Sequence, residues 1–186
     1  MTNSPRRGIS TRRLTMNAVF IALHVVLDFA SIYIGNEIKL SFASFPLLCA
    51  AMLFGTADGI YVAGIGEFIY QLLMYGLGPT TLLWMLPPML HALIAGLLAR
   101  RFGRDKMGVK QVGVTVLISG LIAALLTTLV IYIDAQVWGY PSGLTAAMIG
   151  FRLLNTLIMC AIYTAIVPKT IVLLRRIYKP RTEKAA

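Results

Sequence analysis

The stretch TTLLWMLPPMLHALIAGLLARRFGRDKMGVK, residues 80–110, decides the fold. Its first part, residues 80–99, contains no charged side chain. About 20 mainly apolar residues are the length that an α-helix needs to cross a bilayer. Basic residues follow directly, at positions 100, 101, 104, 106 and 110. Since Lys and Arg are enriched at the cytoplasmic ends of membrane helices, this stretch predicts a spanning helix that ends on the cytoplasmic side.

The composition of the whole chain also indicates a membrane protein. Its 186 residues are 58% hydrophobic and 13% charged, which is too apolar for an ordinary soluble domain. The formal net charge of +10 would suit a nucleic-acid-binding protein. However, the basic residues cluster at the ends of apolar runs and not beside aromatic residues. Cys49 and Cys160 lack the spacing of a zinc or redox motif. We therefore expect no nucleic-acid partner, no metal and no cofactor.

Apolar segments along the chain predict an all-α integral membrane bundle of six transmembrane helices. The segments cover residues 14–34, 42–54, 59–75, 80–99, 112–133 and 145–177. This divides the chain into a basic amino-terminal segment (1–13), a membrane domain (14–177) and a basic tail (178–186). Of the 17 Lys and Arg residues, most lie in these two terminal segments or between residues 100 and 110. Six crossings put all these basic blocks on one side, which predicts a multi-pass protein of the cell membrane with both termini cytoplasmic.

The third predicted helix carries an acidic residue in the middle of its apolar sequence. A carboxylate in mid-membrane costs roughly 2.5–3.5 kcal/mol on insertion scales, so Glu67 needs a partner or a ligand. Gln71 and Tyr75 follow at intervals of four residues and share its helix face. We expect these residues to line a substrate-binding site. An ion pair between Glu67 and Arg152 is the alternative.

Two cationic residues are candidates for binding an anionic solute. Arg152 stands among the apolar residues of the last predicted helix, with Asn155 one turn further on. A guanidinium group is a rigid fork that binds a carboxylate bidentately. Lys39 lies in a segment predicted to face outside. We therefore add Lys39, Arg152 and Asn155 to the predicted substrate-binding residues, with a solvent-exposed loop lysine as the alternative for Lys39.

The first predicted helix has a polar stripe and a small-residue pair. The stripe contains Asn17, His24, Asp28 and Ser31. Polar groups face the interior of a membrane bundle because they are costly in lipid. Ala18 and Ala22 lie about a third of a turn away, and small residues four positions apart let another helix approach closely. This pair is a candidate partner-docking surface, and packing against a neighbouring helix of the same chain is the alternative.

Catalytic motifs are absent from the sequence. It contains no nucleophile elbow, no phosphate-binding loop and no metalloprotease helix. We therefore expect no enzyme activity. Because the chain has no nucleotide-binding motif, uphill transport of a solute would need an ion gradient or a separate motor.

The pattern resembles a known family of vitamin transporters. Six predicted helices with the sequence AVFIA at residues 18–22 resemble the substrate-binding S component of energy-coupling factor (ECF) transporters. The resemblance implies that Ala18 and Ala22 meet a transmembrane coupling protein, which acts with two ATPase subunits. Within the family, IKLSF (38–42), MLFG (52–55), Gly66-Glu67 and FRLLN (151–155) are similar to the folate-specific branch. That branch differs in having Asp at the position of Glu67 and Asn at the position of Thr156.

The resemblance implies high-affinity capture of a vitamin, with folate favoured, at the extracellular face. Three alternatives stay open from the sequence. The first is an S component for another vitamin. The second is a self-sufficient proton-coupled carrier, in which Asp28 or Glu67 binds the proton. The third is a scaffold protein of the cell envelope that binds no solute.

Overall fold

The structure, a computed structural model, describes residues 11–34, 38–104, 107–139 and 146–178. Six helices run through these residues: α1 (Thr11–Phe29), α2 (Ser44–Leu53), α3 (Thr56–Tyr75), α4 (Thr81–Arg101), α5 (Val109–Trp138) and α6 (Ala146–Tyr178). The prediction of a six-helix bundle is confirmed for this part of the chain. Residues 1–10 and 179–186, which form most of the two predicted basic terminal segments, lie outside the described residues.

The all-α fold class is confirmed for the described residues, and a short β-hairpin between α1 and α2 is a small addition to it. Strand β1 (Ile32–Ile34) pairs antiparallel with strand β2 (Ile38–Leu40). The first helix was predicted to reach residue 34, but α1 ends at Phe29. The hydroxyl of Ser31 donates a hydrogen bond of 2.6 Å to the Asp28 carbonyl, which satisfies a helix-terminal acceptor. The residues that follow are β-branched and aromatic, and they favour an extended backbone.

Three helices have the length and hydropathy of membrane-spanning segments. They are α4, α5 and the part of α6 from Met148 to Leu174. Within their most apolar stretches, 33%, 33% and 28% of the residues are buried inside the protein. Most of this apolar surface therefore faces outward, where lipid can cover it. The protein is embedded in a membrane through these helices.

Helix α2 lies in the centre of the bundle and is the shortest of the six helices, and its crossing of the membrane stays a prediction. It has only ten residues, and its side chains from Leu47 to Met52 are fully buried. Pro46 lies in its first turn, where the backbone N–H has no intrahelical acceptor and a proline is tolerated. A Cβ atom at Gly59 would lie 2.5 Å from the Cβ atom of Ala51. Helices α2 and α3 therefore approach each other closely because position 59 has no side chain.

A partly buried ion-pair cluster joins the start of α1 to the turn between α2 and α3. Asp58 forms an ion pair with Arg13 and accepts a hydrogen bond of 2.6 Å from the side-chain amide of Asn17. Arg13 and Arg104 both donate to the carbonyl oxygen of Phe54, at 3.3 and 3.2 Å. We call these five residues the Asp58 cluster. It brings the beginning of α1 and the end of α4 to the same end of the bundle.

Candidate functional site

The helices enclose a large cavity with polar groups on several sides. Its volume is about 970 Å³. Ligand pockets commonly measure about 300–1,000 Å³ and combine apolar walls with a few converging polar groups. Side chains from α1, α3, α4, α5 and α6 line it, together with residues between β2 and α2. A second hollow of about 380 Å³ near Pro168 is lined mainly by aliphatic side chains. The larger cavity is therefore the candidate binding site.

Five of the six predicted substrate-binding residues line this one cavity. They are Glu67, Gln71, Tyr75, Arg152 and Asn155. Helix α3 supplies the first three and α6 supplies the other two. The backbone of Lys39 lies in β2, opposite Tyr33, and its side chain falls outside the described part of the structure. The structure thus brings the predicted residues together, and their role in binding stays a prediction.

Glu67 is held by a neighbour on its own helix and faces a histidine of α1. The side-chain amide of Gln71 donates a hydrogen bond of 2.8 Å to Oε1 of Glu67. The Nε2 atom of His24 lies 3.7 Å from Oε2 of the same carboxylate. The expected alternative, an ion pair with Arg152, is not among the contacts of Glu67 with the described residues. Glu67 therefore belongs to a Gln71–Glu67–His24 group.

The orientation of the His24 ring is fixed on two sides. Its Nδ1 atom lies 2.8 Å from the carbonyl oxygen of Ala43. Because a carbonyl oxygen only accepts, Nδ1 must carry the hydrogen. On the other side, a Cβ atom at Gly66 would lie 2.6 Å from Cδ2 of His24. The ring therefore packs directly against the backbone of Gly66, with its Nε2 atom toward Glu67.

The segment that follows β2 is tied to two helices beside the cavity. The hydroxyl of Ser41 donates a hydrogen bond of 2.8 Å to the Asp28 carboxylate on α1. The phenol of Tyr163 on α6 donates a 2.8 Å bond to the carbonyl oxygen of Ser41. All three residues line the cavity. Sequence reasoning placed Asp28 in the interior but missed Ser41 and Tyr163.

A tryptophan and an aspartate meet on the other side of the cavity. The indole N–H of Trp84 on α4 donates a hydrogen bond of 3.2 Å to Asp134 on α5. The fifth helix was predicted to end at residue 133, but α5 continues to Trp138 and Asp134 is 8% exposed. The indole N–H of Trp138 donates to the hydroxyl of Thr80 at 3.2 Å. These bonds join the end of α5 to the start of α4.

Helix α4 also contributes a buried histidine and two prolines. Pro87, Pro88 and His91 line the cavity. His91 is 6% exposed, and its Nε2 atom has no hydrogen-bond partner among the described residues. A buried polar atom of this kind is costly unless a ligand or water satisfies it. None of the described residues form a group of three or more His, Cys, Asp or Glu side chains suited to hold a metal ion.

The predicted docking pair lies on a different face of α1 from the polar stripe. Ala18 and Ala22 are exposed, whereas Asn17, His24 and Asp28 are buried. Within the part of the chain that the structure describes, the pair is not covered by another helix. The alternative, packing against a neighbouring helix of the same chain, is therefore not observed there. Its role in docking stays a prediction.

Comparisons with known proteins agree with this architecture. The family model described as "ECF transporter, substrate-specific component" matches residues 12–172. The chain is also similar to a solved structure described as the S component of a bacterial ECF transporter, with a TM-score of 0.64 and 18% sequence identity. That alignment covers 88% of this chain and 98% of the other and shows a shared fold. No curated protein matches the chain in sequence.

The family match extends over most of the chain and includes the helices that line the cavity. S components bind a vitamin-type substrate, work with an ECF module and are not enzymes. The chain belongs to the family of substrate-specific components of ECF transporters.

Proposed function

We propose that this S component captures folate at the extracellular face and delivers it inward with a transmembrane coupling protein and two ATPase subunits. The observation that carries the proposal is the cavity of about 970 Å³, in which polar groups from separate helices converge. This volume lies at the upper end of the usual range for ligand pockets, which suits a ligand of several linked rings.

The chemistry of the lining suits the different parts of folate. Arg152, together with Lys39, would bind the carboxylates of the glutamate tail, because a guanidinium group pairs well with carboxylates. Gln71, Tyr75 and Asn155 offer amide and aromatic groups to the pterin. An acidic side chain, Asp28 or Glu67, would accept hydrogen bonds from the pterin N–H groups.

The positions of the basic residues support six crossings with both termini in the cytoplasm. The Asp58 cluster places Arg13 and Arg104 at the same end of the bundle. Arg100 and Arg101 lie in the last turn of α4, at that end. A concentration of cationic residues marks the cytoplasmic side of a membrane protein. The Trp138–Thr80 contact lies at the other end, beside the cavity, so we expect the vitamin to enter there.

The exposed face of α1 supports the proposed contact with the coupling protein. Ala18 and Ala22 leave a smooth surface one turn long on which a partner helix can lie closely. The buried residues of α1 point in other directions, toward the cavity and toward α3. Docking through this face would therefore leave the cavity lining undisturbed.

Thermal unfolding of the purified chain in detergent, with a panel of vitamins, tests the proposal. A ligand at a hundred times its Kd stabilises the folded state by about 2.7 kcal/mol, and we expect this effect with folate. Stabilisation by a different vitamin would replace folate and retain the S-component role. If no vitamin stabilises the chain, the scaffold alternative is favoured.

Reconstitution into liposomes separates the S component from a stand-alone carrier. We expect folate uptake only when the coupling protein, the ATPase subunits and ATP are also present. Uptake driven by a pH gradient with the purified chain alone would instead favour a proton-coupled carrier.

A further inference from the structure

The described lining of the cavity contains more acidic than basic groups. Three buried carboxylates line it, those of Asp28, Glu67 and Asp134, with exposed fractions of 4%, 9% and 8%. Arg152 is the one guanidinium among the described lining residues. Buried charges are costly unless opposite charges or hydrogen-bond donors satisfy them. A ligand that brings N–H donors to these carboxylates is therefore favoured over a ligand that brings only negative charge.

One oxygen of the Glu67 carboxylate is left for a ligand. Asp28 and Asp134 each take part in further interactions besides the hydrogen bonds that they accept from Ser41 and Trp84. In Glu67, Gln71 donates to Oε1, while Oε2 accepts no hydrogen bond from any described residue. The Nε2 atom of His24 lies 3.7 Å from Oε2, which is beyond hydrogen-bond distance.

His24 lies directly behind this oxygen. Its Nδ1 atom is held by the carbonyl oxygen of Ala43, and its Nε2 atom lies 3.7 Å from Oε2, beyond hydrogen-bond distance. The Nε2 atom has no hydrogen-bond partner among the described residues and is itself inaccessible, so a ligand would contact Glu67. His24 is then a positioning residue that fixes the orientation of the Glu67 carboxylate.

We propose that the cavity recognises its ligand through a pair of adjacent N–H donors on a planar nitrogen heterocycle, as in an amidine or 2-amino-heterocycle edge. Glu67 accepts both donors, one at Oε2 and one at the second lone pair of Oε1. This inference rests on the proposed function, because it takes the cavity to be the substrate site. Tyr70 and Trp84 also line the cavity and offer aromatic surfaces to a planar ring. The proposal names the chemical class of the ligand and holds for any vitamin that has such an edge.

Two pteridines that differ at one position provide the test. Pterin has an amino group at position 2, whereas lumazine has a carbonyl oxygen there, so a donor is exchanged for an acceptor on the same ring system. We expect the purified full-length chain to bind pterin at least tenfold more tightly than lumazine in isothermal titration calorimetry. Equal affinities, or no binding of either compound, would overturn the proposal.

Matched variants identify the group that makes the distinction. Glu67→Gln keeps the size of the side chain but presents an amide, so we expect the preference for pterin to disappear. Asp58→Asn removes a buried carboxylate outside the cavity and should retain the preference. His24→Ala should reduce the preference, which a purely structural role would leave unchanged. If Glu67 only forms an ion pair with a protonated His24, Glu67→Gln will lower stability and keep the preference, and the proposal is then wrong.

Folate, used as a third probe, separates this inference from the proposed function. A preference for pterin over lumazine without any folate binding would remove folate as the substrate and leave the inference intact. Folate binding together with equal affinities for the two pteridines would keep folate as the substrate and overturn the inference about the N–H donors. Each proposal can thus fail without the other.

Discussion

Gly66→Ala is the substitution that tests the packing around the candidate site most sharply. The added Cβ atom would lie 2.6 Å from Cδ2 and 2.9 Å from Cγ of His24. The ring cannot move away without losing its hydrogen bond to Ala43, which is 2.8 Å long. The substitution therefore forces either a clash in a fully buried region or the loss of that bond.

The expected loss of stability is the difference between one cost and one gain. Overpacking a core costs about 1–3 kcal/mol, and the other outcome, a buried carbonyl left without its donor, also costs about 1–3 kcal/mol. Replacing a helical glycine with alanine returns about 0.5–1 kcal/mol. We expect a net loss of about 1–2 kcal/mol, or a decrease in Tm of about 2–8 °C at roughly 2–4 °C per kcal/mol for a chain of this size.

Thermal unfolding of the detergent-solubilised protein measures this effect, and two further variants control it. Gly150→Ala adds the same methyl group in α6, where no atom lies within 4 Å, and should leave Tm unchanged or slightly raised. In a His24→Ala background, the space of the missing ring accommodates the methyl group, so the cost of Gly66→Ala should largely vanish. A loss of equal size in both backgrounds, or a Gly66→Ala variant as stable as Gly150→Ala, would refute the reasoning.

Further substitutions test the site, the docking face and the Asp58 cluster. Arg152→Ala should weaken folate binding at least tenfold, about 1.4 kcal/mol, in calorimetry, with Arg152→Lys losing less; unchanged affinity would remove this residue from the site. Ala18→Trp and Ala22→Trp should leave vitamin binding intact but stop uptake by the reconstituted complex, because bulk there blocks close helix approach. Normal uptake by both would refute the docking contact. Arg13→Ala removes a charged donor from a buried carboxylate and should lower stability by about 1–2 kcal/mol, seen as a lower Tm; an unchanged Tm would show that the ion pair contributes nothing.

The convergence of the polar residues was predictable from the sequence. Polar side chains in apolar helices are placed inward because lipid cannot satisfy them. This rule predicted that Glu67, Gln71, Arg152 and Asn155 face the interior of the bundle. In the structure all four line one cavity. The same rule also separated the buried stripe of α1 from the exposed Ala18.

The hairpin was not predictable from the same kind of pattern. The apolar residues of β1 continue the hydrophobic run of α1, and short apolar runs do not distinguish a helix from a strand. The helix ends where Ser31 bonds back to the Asp28 carbonyl. A single hydrogen bond of this kind leaves no periodic pattern in the sequence from which the end of the helix could be predicted.

Contacts between residues far apart in the sequence account for the remaining differences between the predicted and the observed structure. The fifth predicted helix ended before Asp134, but Trp84, fifty positions away, donates a hydrogen bond to Asp134 inside the bundle. Tyr163 and Ser41 are separated by 122 positions, and neither stands out in the sequence. Residues whose importance depends on such a contact are recognised only when the fold is known.

Mass spectrometry of the small molecule that co-purifies with the gently extracted protein tests most directly whether the cavity holds a vitamin. The protein would be prepared from cells supplied with folate, as the original chain and as Arg152→Ala. We expect folate in an equimolar amount with the original chain and much less with the variant. An original chain that carries no vitamin, or equal amounts of folate on both proteins, would contradict the assignment of this cavity as the substrate site.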